Sequence, residues 1–209
     1  MFMQDAKTFR AAEEIALSFS GLTAAPGSGG GGILASSLVE TAQGWRRAGS
    51  LARGSLVQTW DGGLCQLTRV ARRSYWRVAG AEMVHVPGGA IGNCSDLWLM
   101  PDQNVMIASR VAEEVLDASA ALVPARALAG FLGASLCPLD RPVEMVALGF
   151  ARDEVAYVNS GALILCAGDG SAEPEADYFP RLDDEEARAM LALIAEGALN
   201  TRDLPGRAA

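Results

Sequence analysis

Residues 32–63 read GILASSLVETAQGWRRAGSLARGSLVQTWDGG. In this stretch, short apolar runs such as Ile33–Leu34 and Leu56–Val57 alternate with turn residues, of which glycine is the most frequent. A turn signal every 8–12 residues or so, between short runs of this kind, is typical of an all-β domain. The stretch therefore predicts a series of short strands that begins directly after a run of four glycines at 29–32.

The same alternation continues to residue 168. Further apolar runs are EMVHV at 82–86, NVMIAS at 104–109, VEMVALGF at 143–150 and ALILCAG at 162–168. Turn residues lie between them, which favours a mainly β domain over residues 32–168. Within that domain, residues 111–117 and 123–130 have the pattern of short helical segments.

Two helices are expected to flank the β domain. Residues 5–19 place Phe9, Ile15 and Phe19 near one helical face. Residues 183–196 carry a capping box and an apolar stripe, with Gly197 as the expected end. The capping pair is Asp183 and Glu186, and the stripe is Ala187, Met190, Leu191 and Ile194.

The chain is thus expected to have three parts. Residues 1–31 form an N-terminal helix with a Gly-rich linker, residues 32–168 form the β domain, and residues 169–209 form a polar loop with a C-terminal helix. Each flanking helix would bury its apolar face against the β domain or against another chain, so self-association through these helices stays open.

The glycine run does not have the pattern of a phosphate-binding loop. A P-loop needs Gly-Lys-Ser/Thr at its end, where the lysine neutralises phosphate, and it opens a helix. Here the run ends in Gly-Gly-Ile-Leu and precedes a predicted strand. Nucleotide binding at this position is therefore excluded, and a flexible tether is the simplest interpretation of residues 20–31.

Charge and hydropathy exclude further classes. The chain has 209 residues, with 25 acidic against 17 basic side chains and a formal net charge of −8. A surface of that sign repels phosphate, so neither nucleic acid nor an anionic membrane is an expected partner. No secretory signal and no membrane-spanning apolar run is evident, which predicts a cytoplasmic protein.

The cysteines and the single histidine indicate neither a cofactor nor a metal site. The four cysteines form no C-x-x-C pair and have no histidine cluster nearby, which disfavours a zinc site. Buried thiols are expected in a reduced compartment, and disulfides stay open as the alternative. His85 is expected to be a packed or surface residue more often than a general base. Asp153 and Glu154 would point to opposite faces of a strand, which disfavours a shared acid–base site.

Residues 32–63 resemble the opening of bacterial Hint domains, the hedgehog/intein superfamily, of the type common in alphaproteobacteria. The likeness continues through VHVPGGAIGNCSDLWLMPDQNVMI at 84–107, ALVPARALAG at 121–130 and VEMVALGFARDEVAYVNSGALILC at 143–166. The resemblance implies a β-disc with internal pseudo-two-fold symmetry. It also implies a family chemistry in which the domain breaks the peptide bond at its own first residue.

The resemblance assigns the catalytic positions, and most are changed. The family's first-residue nucleophile, a cysteine or serine, corresponds to Gly32. Its Thr/Ser-x-x-His motif starts at Met100 and ends at Gln103, and its second histidine corresponds to Asp153. Glycine has no side chain, and glutamine cannot exchange a proton near pH 7. The leading hypothesis is a Hint domain that no longer cleaves itself and acts as a binding or scaffold module, with an unidentified protein as a possible partner.

Two alternatives stay open. The first is self-cleavage through a non-standard nucleophile, with His85 as the base. The candidates for that nucleophile are Ser36, Ser37, Cys94 and Cys166. The second is catalysis on an external substrate in the inherited cleft, with Asp153 or Glu154 as the base.

Overall fold

The structure, a computed structural model, describes residues 31–75, 81–171 and 179–202. The helix predicted for residues 5–19 and the linker before Gly31 lie outside the described residues. Fourteen short strands and two α-helices account for most of the described chain. The expectation of a mainly β fold is confirmed.

The strands follow one another closely along the chain, as the spacing of the turn residues predicts. They are β1 Ile33–Leu34, β2 Leu38–Thr41, β3 Gly44–Arg47, β4 Leu56–Thr59, β5 Gly63–Gln66, β6 Arg69–Tyr75, β7 Glu82–Val86, β8 Leu97–Leu99, β9 Asn104–Ala108, β10 Ala120–Pro124, β11 Ser135–Pro138, β12 Val143–Gly149, β13 Glu154–Val158 and β14 Ala162–Cys166.

Tight hairpins join the first strands. Gly44 and Gly63 have φ of +84° and +68°, in the left-handed region that glycine adopts without steric cost. In β2 and in β4 buried and solvent-facing residues alternate. This alternation places Val39 and Val57 in the core and leaves Leu38 and Leu56 on the outer face.

The strands form two antiparallel sheets. The first sheet has six strands in the order β11-β7-β8-β1-β12-β6. The second has eight strands. Seven of them follow the order β10-β9-β14-β13-β2-β4-β5, and the eighth, β3, pairs with β2. Strand β1 lies inside the six-stranded sheet, where Ile33 is opposite both Leu99 and Val146. The chain therefore enters the described fold at Gly31–Gly32, in the middle of a sheet.

One large apolar cluster draws its side chains from both sheets. Its fully buried members include Val39, Val84, Leu97 and Phe150. Smaller clusters lie outside it, one around Met83, Met100 and Met145 of the six-stranded sheet and one on the eight-stranded sheet. The main cluster holds the two sheets together, because burial of apolar area is the dominant favourable term in folding.

The helices depart from the sequence prediction in two places. Helix α1 spans Arg110–Leu116 as expected, but residues 123–130 hold only a 3-10 turn, Ala125–Leu128. Helix α2 spans Asp184–Arg202, so Gly197 does not end it. A glycine inside a helix costs only about 1 kcal/mol relative to alanine, too little to stop it.

Helix α2 packs on its own domain. Ala187, Met190 and Leu191 are buried in the main cluster, and Asp184 pairs with Arg126 at 2.7 Å. Of the two partners considered for this helix, its own β domain therefore covers the apolar face at these residues. Among the described residues, no helix is long and apolar enough to cross a membrane.

Candidate functional site

The start of strand β1 is where the resemblance places the reacting peptide bond. Gly32 is buried, and its carbonyl accepts a hydrogen bond of 3.1 Å from the Met100 N–H. A Cβ at this position would lie 3.4 Å from the Val146 carbonyl oxygen and 3.7 Å from the Met145 Cβ. The backbone therefore leaves room for a small side chain at the first position of the domain, and the sequence supplies none.

Gln103 lies directly against the residue before this position. A Cβ on Gly31 would lie 3.0 Å from Gln103 Cδ and would clash with Gln103 Oε1. The Gln103 side chain is buried, and its Nε2 donates to the carbonyls of Asn104 at 2.9 Å and Leu165 at 2.8 Å. Both of its amide protons are thus used to hold the side chain in place at the Gly31–Gly32 bond.

Three of the positions identified from the sequence come together here. Besides the bond from the Met100 N–H to Gly32, the Gln103 N–H donates to the Met100 carbonyl at 3.0 Å. The Met100 side chain is buried among apolar neighbours and carries no O–H or N–H donor. The sequence analysis did not identify the close contact of Gly31 with Gln103. The only indication in the sequence was that Gly31 belongs to the glycine run.

Asp153, the fourth position that the resemblance assigns, contacts other residues. Its Oδ1 accepts a 2.7 Å hydrogen bond from the Gly168 N–H, and its Oδ2 pairs with Arg181 at 2.5 Å. Asp153 is exposed and Glu154 is buried, so the two carboxylates have separate environments. Within the described parts of the chain, Asp153 makes these contacts with Gly168 and Arg181 and is not hydrogen-bonded to Gln103 or Gly31.

Glu154 forms a buried polar cluster that sequence reasoning missed. Its Oε1 accepts from Arg152 at 3.1 Å, while its Oε2 is buried without a hydrogen-bond partner. A Cβ on Gly62 would lie 2.7 Å from this Oε2, 2.6 Å from Cys65 Sγ and 2.9 Å from Thr59 Oγ1. Burial raises the pKa of the Cys65 thiol, and the nearby carboxylate raises it further, so this thiol stays protonated at neutral pH.

The serines considered as alternative nucleophiles lie in the turn after β1. Ser36 is exposed, and Ser37 is buried. The backbone around Ser37 is fixed, because its N–H donates to the Leu34 carbonyl at 2.9 Å and its carbonyl accepts from the Ala48 N–H at 2.8 Å. Strand β1 therefore separates both serines from the Gly31–Gly32 bond. Among the described residues, no base is hydrogen-bonded to either hydroxyl.

The two cysteines proposed as nucleophiles are also poorly suited. Cys166 is buried, and desolvation raises its pKa to about 12, so the reactive thiolate is nearly absent at neutral pH. Its Sγ contacts the Ile164 carbonyl at 3.6 Å. Cys94 is exposed and contacts the Asn159 carbonyl at 3.6 Å, in the loop between β7 and β8.

His85 is engaged elsewhere. Its Nε2 lies 2.9 Å from Asp96 Oδ2, and its ring lies 4.6 Å from the Trp98 ring. The hydrogen bond from His85 lowers the pKa of Asp96. Strand β8 separates His85, on β7, from β1. Of the positions identified from the sequence, only Gly32, Met100 and Gln103 are thus brought together.

A shallow open cleft remains beside the junction. Its wall includes Gly31 and Met100, and its floor is formed by the outer face of β12 and β6, where Arg73 is directly opposite Met145. The lining residues are Gly31, Arg69, Ala71, Arg73, Tyr75, Met100, Met145 and Ala147. Among the described residues, neither Asp153 nor Glu154 lines the cleft, and the lining contains no carboxylate or imidazole. The described part of the cleft therefore combines apolar side chains with the positive charges of Arg69 and Arg73.

Metal chemistry has no visible support in the described ranges. No group of three or more His, Cys, Asp or Glu side chains there lies close enough together to hold a metal ion.

Comparison with known proteins identifies the family. The profile of the Hint domain family matches residues 32–163. The two-sheet β fold and this match together define the class as Hint domains. The chain belongs to the Hint domain family.

Solved structures with a similar fold are inteins and intein-like domains. A splice-inactive variant of the AceL NrdHF class 3 split intein is 12% identical, with a TM-score of 0.47, and the match covers 66% of this chain and 98% of that one. An intein-like domain from Clostridium thermocellum is 13% identical, with a TM-score of 0.44 and coverage of 64% and 96%. A variant of the gp41-1 intein is 10% identical, with a TM-score of 0.43 and coverage of 66% and 99%. A search of curated proteins gave no match.

Proposed function

We propose that this Hint domain does not cleave its own backbone and that it acts as a binding or scaffold module. The observation that carries the proposal is the junction itself. Gly32 presents no attacking atom, and Gln103 occupies the place of the proton donor with both amide protons committed to the carbonyls of Asn104 and Leu165.

The chemistry of the acyl shift explains why these two changes matter. A side-chain sulfur or oxygen at position 32 must attack the Gly31 carbonyl carbon, and the departing amide nitrogen of residue 32 must gain a proton. Glycine cannot make the first bond. A glutamine amide does not release a proton at neutral pH, whereas general acid–base assistance typically contributes 10²–10⁴-fold to such steps.

The remaining nucleophiles do not replace the missing one. Cys166 is a buried thiol with a pKa of about 12. Ser36 and Ser37 follow strand β1, whereas Gly31 and Gly32 precede it, and His85 is paired with Asp96. An attacking atom must come within about 3.5 Å of the carbonyl carbon for an effective reaction. The positions of these side chains along the fold therefore support a loss of reactivity.

The retained cleft supports a non-covalent role. Methionine side chains and the Arg73 guanidinium line it beside the intact strand framework. The cleft is open and too small to enclose a small molecule, so the non-covalent role it supports is contact with the surface of a partner protein. On this proposal, the domain keeps its fold but lacks the nucleophile and the proton donor needed for self-cleavage.

The proposal is tested by the intact mass of the purified chain during incubation with and without a thiol or hydroxylamine. We expect a single species at 21.8 kDa throughout. Fragments that end near Gly31 would instead support self-cleavage by a non-standard nucleophile. Single alanine variants of Ser36, Ser37, Cys94 and Cys166 would then identify that nucleophile, because only one of them would stop the cleavage.

A further inference from the structure

The outer face of the eight-stranded sheet carries an exposed apolar patch. Trp45, Trp60 and Leu64 are 38%, 44% and 51% exposed. They share this face with Leu38 and Leu56, because all five occupy solvent-facing positions on β2–β5 or directly after β4. We call the set Leu38, Trp45, Leu56, Trp60 and Leu64 the outer patch.

The outer patch continues an apolar surface that is already covered at one end. Trp60 meets Tyr157 of β13, with ring centroids 6.1 Å apart. Beyond Tyr157, the outer faces of β13, β14 and β9 form a buried cluster that packs with Phe179. After Phe179 the chain pairs with the edge strand β10 of this half of the sheet, where Leu122 and Arg181 form a parallel bridge. The described chain provides no comparable cover for the half that carries the outer patch.

Exposed apolar surface of this kind marks an interaction site in a folded protein. Polar residues such as Glu40 and Gln58 are interspersed on the same face, as at the rim of an interface. Five of the nine large apolar side chains that are exposed in the described structure belong to this one patch. A random scatter over the surface would not concentrate them there.

We propose that the outer patch is covered by the amphipathic segment 5–19 of the same chain. The sequence predicts a helix there with Phe9, Ala12, Ile15, Ala16 and Phe19 on one face. A single helix that exposes such a face is marginal in water and is stabilised mainly by packing. The chain thus holds two apolar surfaces of matching chemistry, one on the sheet and one on this segment.

The linker is long enough for the contact. Residues 20–30 separate the segment from Gly31. Eleven residues span at most about 36–40 Å when extended, and about 18 Å on average as a Gly-rich coil. Leu38 follows Gly31 by seven residues, so it lies within about 25 Å of the end of the linker. A short flexible connection gives an effective concentration in the millimolar range, which favours the intramolecular contact.

The charges agree with this occupant. Strand β3 presents Arg46 and Arg47 beside Trp45, and both are exposed. In the predicted helix Glu13 flanks the apolar face, so a docked helix would bring a carboxylate to this basic edge. The contact would also explain the glycine run, because a flexible run before β1 lets the chain turn away from the start of that strand without fixing where the helix docks.

The test compares side-chain accessibility by hydroxyl-radical labelling and mass spectrometry. The variant Phe9→Ser, Ile15→Ser, Phe19→Ser removes the apolar face, and the matched control Lys7→Ser, Arg10→Ser, Glu14→Ser changes the polar side of the same segment. We expect oxidation of Trp45, Trp60 and Leu64 to rise several-fold in the first variant only. Trp98, on the other sheet, serves as the internal reference in every sample.

A second variant tests the contact from the sheet side. Leu56→Ser with Leu64→Ser alters exposed side chains, so the domain is expected to fold normally. Tryptic cleavage after Lys7 and Arg10 should then become several-fold faster than in the unaltered chain. A synthetic peptide of residues 1–24, added to a chain that lacks residues 1–19, should restore protection of Trp45 and Trp60.

Two outcomes would overturn the proposal. Equal labelling of the outer patch in the unaltered chain and the apolar-face variant would show that the segment does not cover it. A doubled mass by light scattering for the unaltered chain, with protection that is lost on dilution, would show that a second copy covers the patch instead. A doubled mass that appears only when residues 1–19 are removed would support the proposal, because the uncovered patch would then self-associate.

Discussion

At the scale of single residues, the site depends on two neighbouring glycines with different surroundings. Gly31 meets the fixed side chain of Gln103, whereas Gly32 meets only the Val146 backbone and Met145 at ordinary contact distances. The order of motifs along the chain was sufficient to place Gly32, Met100 and Gln103 at one site. It could not reveal the contact at Gly31, because that contact depends on the rotamer of Gln103.

The two glycines should therefore respond differently to alanine. Gly31→Ala places a methyl group against Gln103, which two hydrogen bonds hold in place, and overpacking of this kind costs about 1–3 kcal/mol of unfolding free energy. Gly32→Ala should change the stability by less than about 1 kcal/mol, because its Cβ has room. Urea denaturation of the two variants measures both values, and a larger loss for Gly32→Ala would contradict the described junction.

The buried cysteine predicts an alkaline limit to stability. The pKa of Cys166 is about 12 in the folded chain against 9.0 in the unfolded chain. A group whose folded pKa is raised stabilises the fold fully below its unfolded pKa, and that contribution is lost as the pH rises toward the folded pKa. Between pH 9 and 12 we expect unfolding free energy to fall by up to about 1.4 kcal/mol per pH unit.

Cys166→Ala provides the control for this effect. Measured by urea denaturation at pH 8, 9 and 10, the variant should lose part of the alkaline slope while keeping the slope due to other groups. Iodoacetamide should meanwhile modify the exposed Cys94 in the folded chain and leave Cys166 unmodified until denaturant is added. Rapid modification of Cys166 in the folded chain would contradict its burial.

At the scale of secondary-structure elements, the turn pattern predicted the strands better than it predicted the ends of helices. Glycines with positive φ, such as Gly44 and Gly63, have a local steric reason to end a strand. Gly197 has an unfavourable helix propensity of only about 1 kcal/mol relative to alanine, which is too small to end the helix by itself. Residues 123–130 form only a 3-10 turn because Leu122 and Val123 pair with β9, which leaves few residues for a helix.

The start of helix α2 was predictable because its capping is local. The Glu186 N–H donates to Asp183 Oδ1 at 2.9 Å, and the Asp183 N–H donates to Glu186 Oε2 at 3.0 Å. Asp183→Ala removes one half of this capping box, and we expect a loss of about 0.5–2 kcal/mol in unfolding free energy by urea denaturation. The exposed change Glu196→Gln in the same helix is the control, and an equal loss there would show that the cap has no special role.

The buried cluster around Glu154 is an example of a long-range contact that the sequence pattern could not predict. Thr59 and Cys65 reach Glu154 only because the turn at Gly62 folds over the start of β13, more than ninety residues further along the chain. The alternation of residues correctly predicted that Asp153 and Glu154 would separate. It carried no information about which thiol or hydroxyl the buried carboxyl would meet.

At the scale of the whole molecule, the central claim is that an intact Hint fold surrounds a junction without reactive groups. The six-stranded sheet holds β1 between β8 and β12, so the Gly31–Gly32 bond has a fixed place among its neighbours. If only the reactive groups are missing, returning them to this framework should return the reaction. Gly32→Cys has room for its Cβ, and Gln103→His replaces the side chain beside the same bond with an imidazole.

The most direct test is therefore the intact mass of the unaltered chain and of the Gly32→Cys, Gln103→His variant, incubated side by side with hydroxylamine. We expect the unaltered chain to keep its single mass while the variant releases the segment that ends at Gly31. Release of that segment from the unaltered chain at a rate comparable to that of the variant would mean that the native junction is reactive.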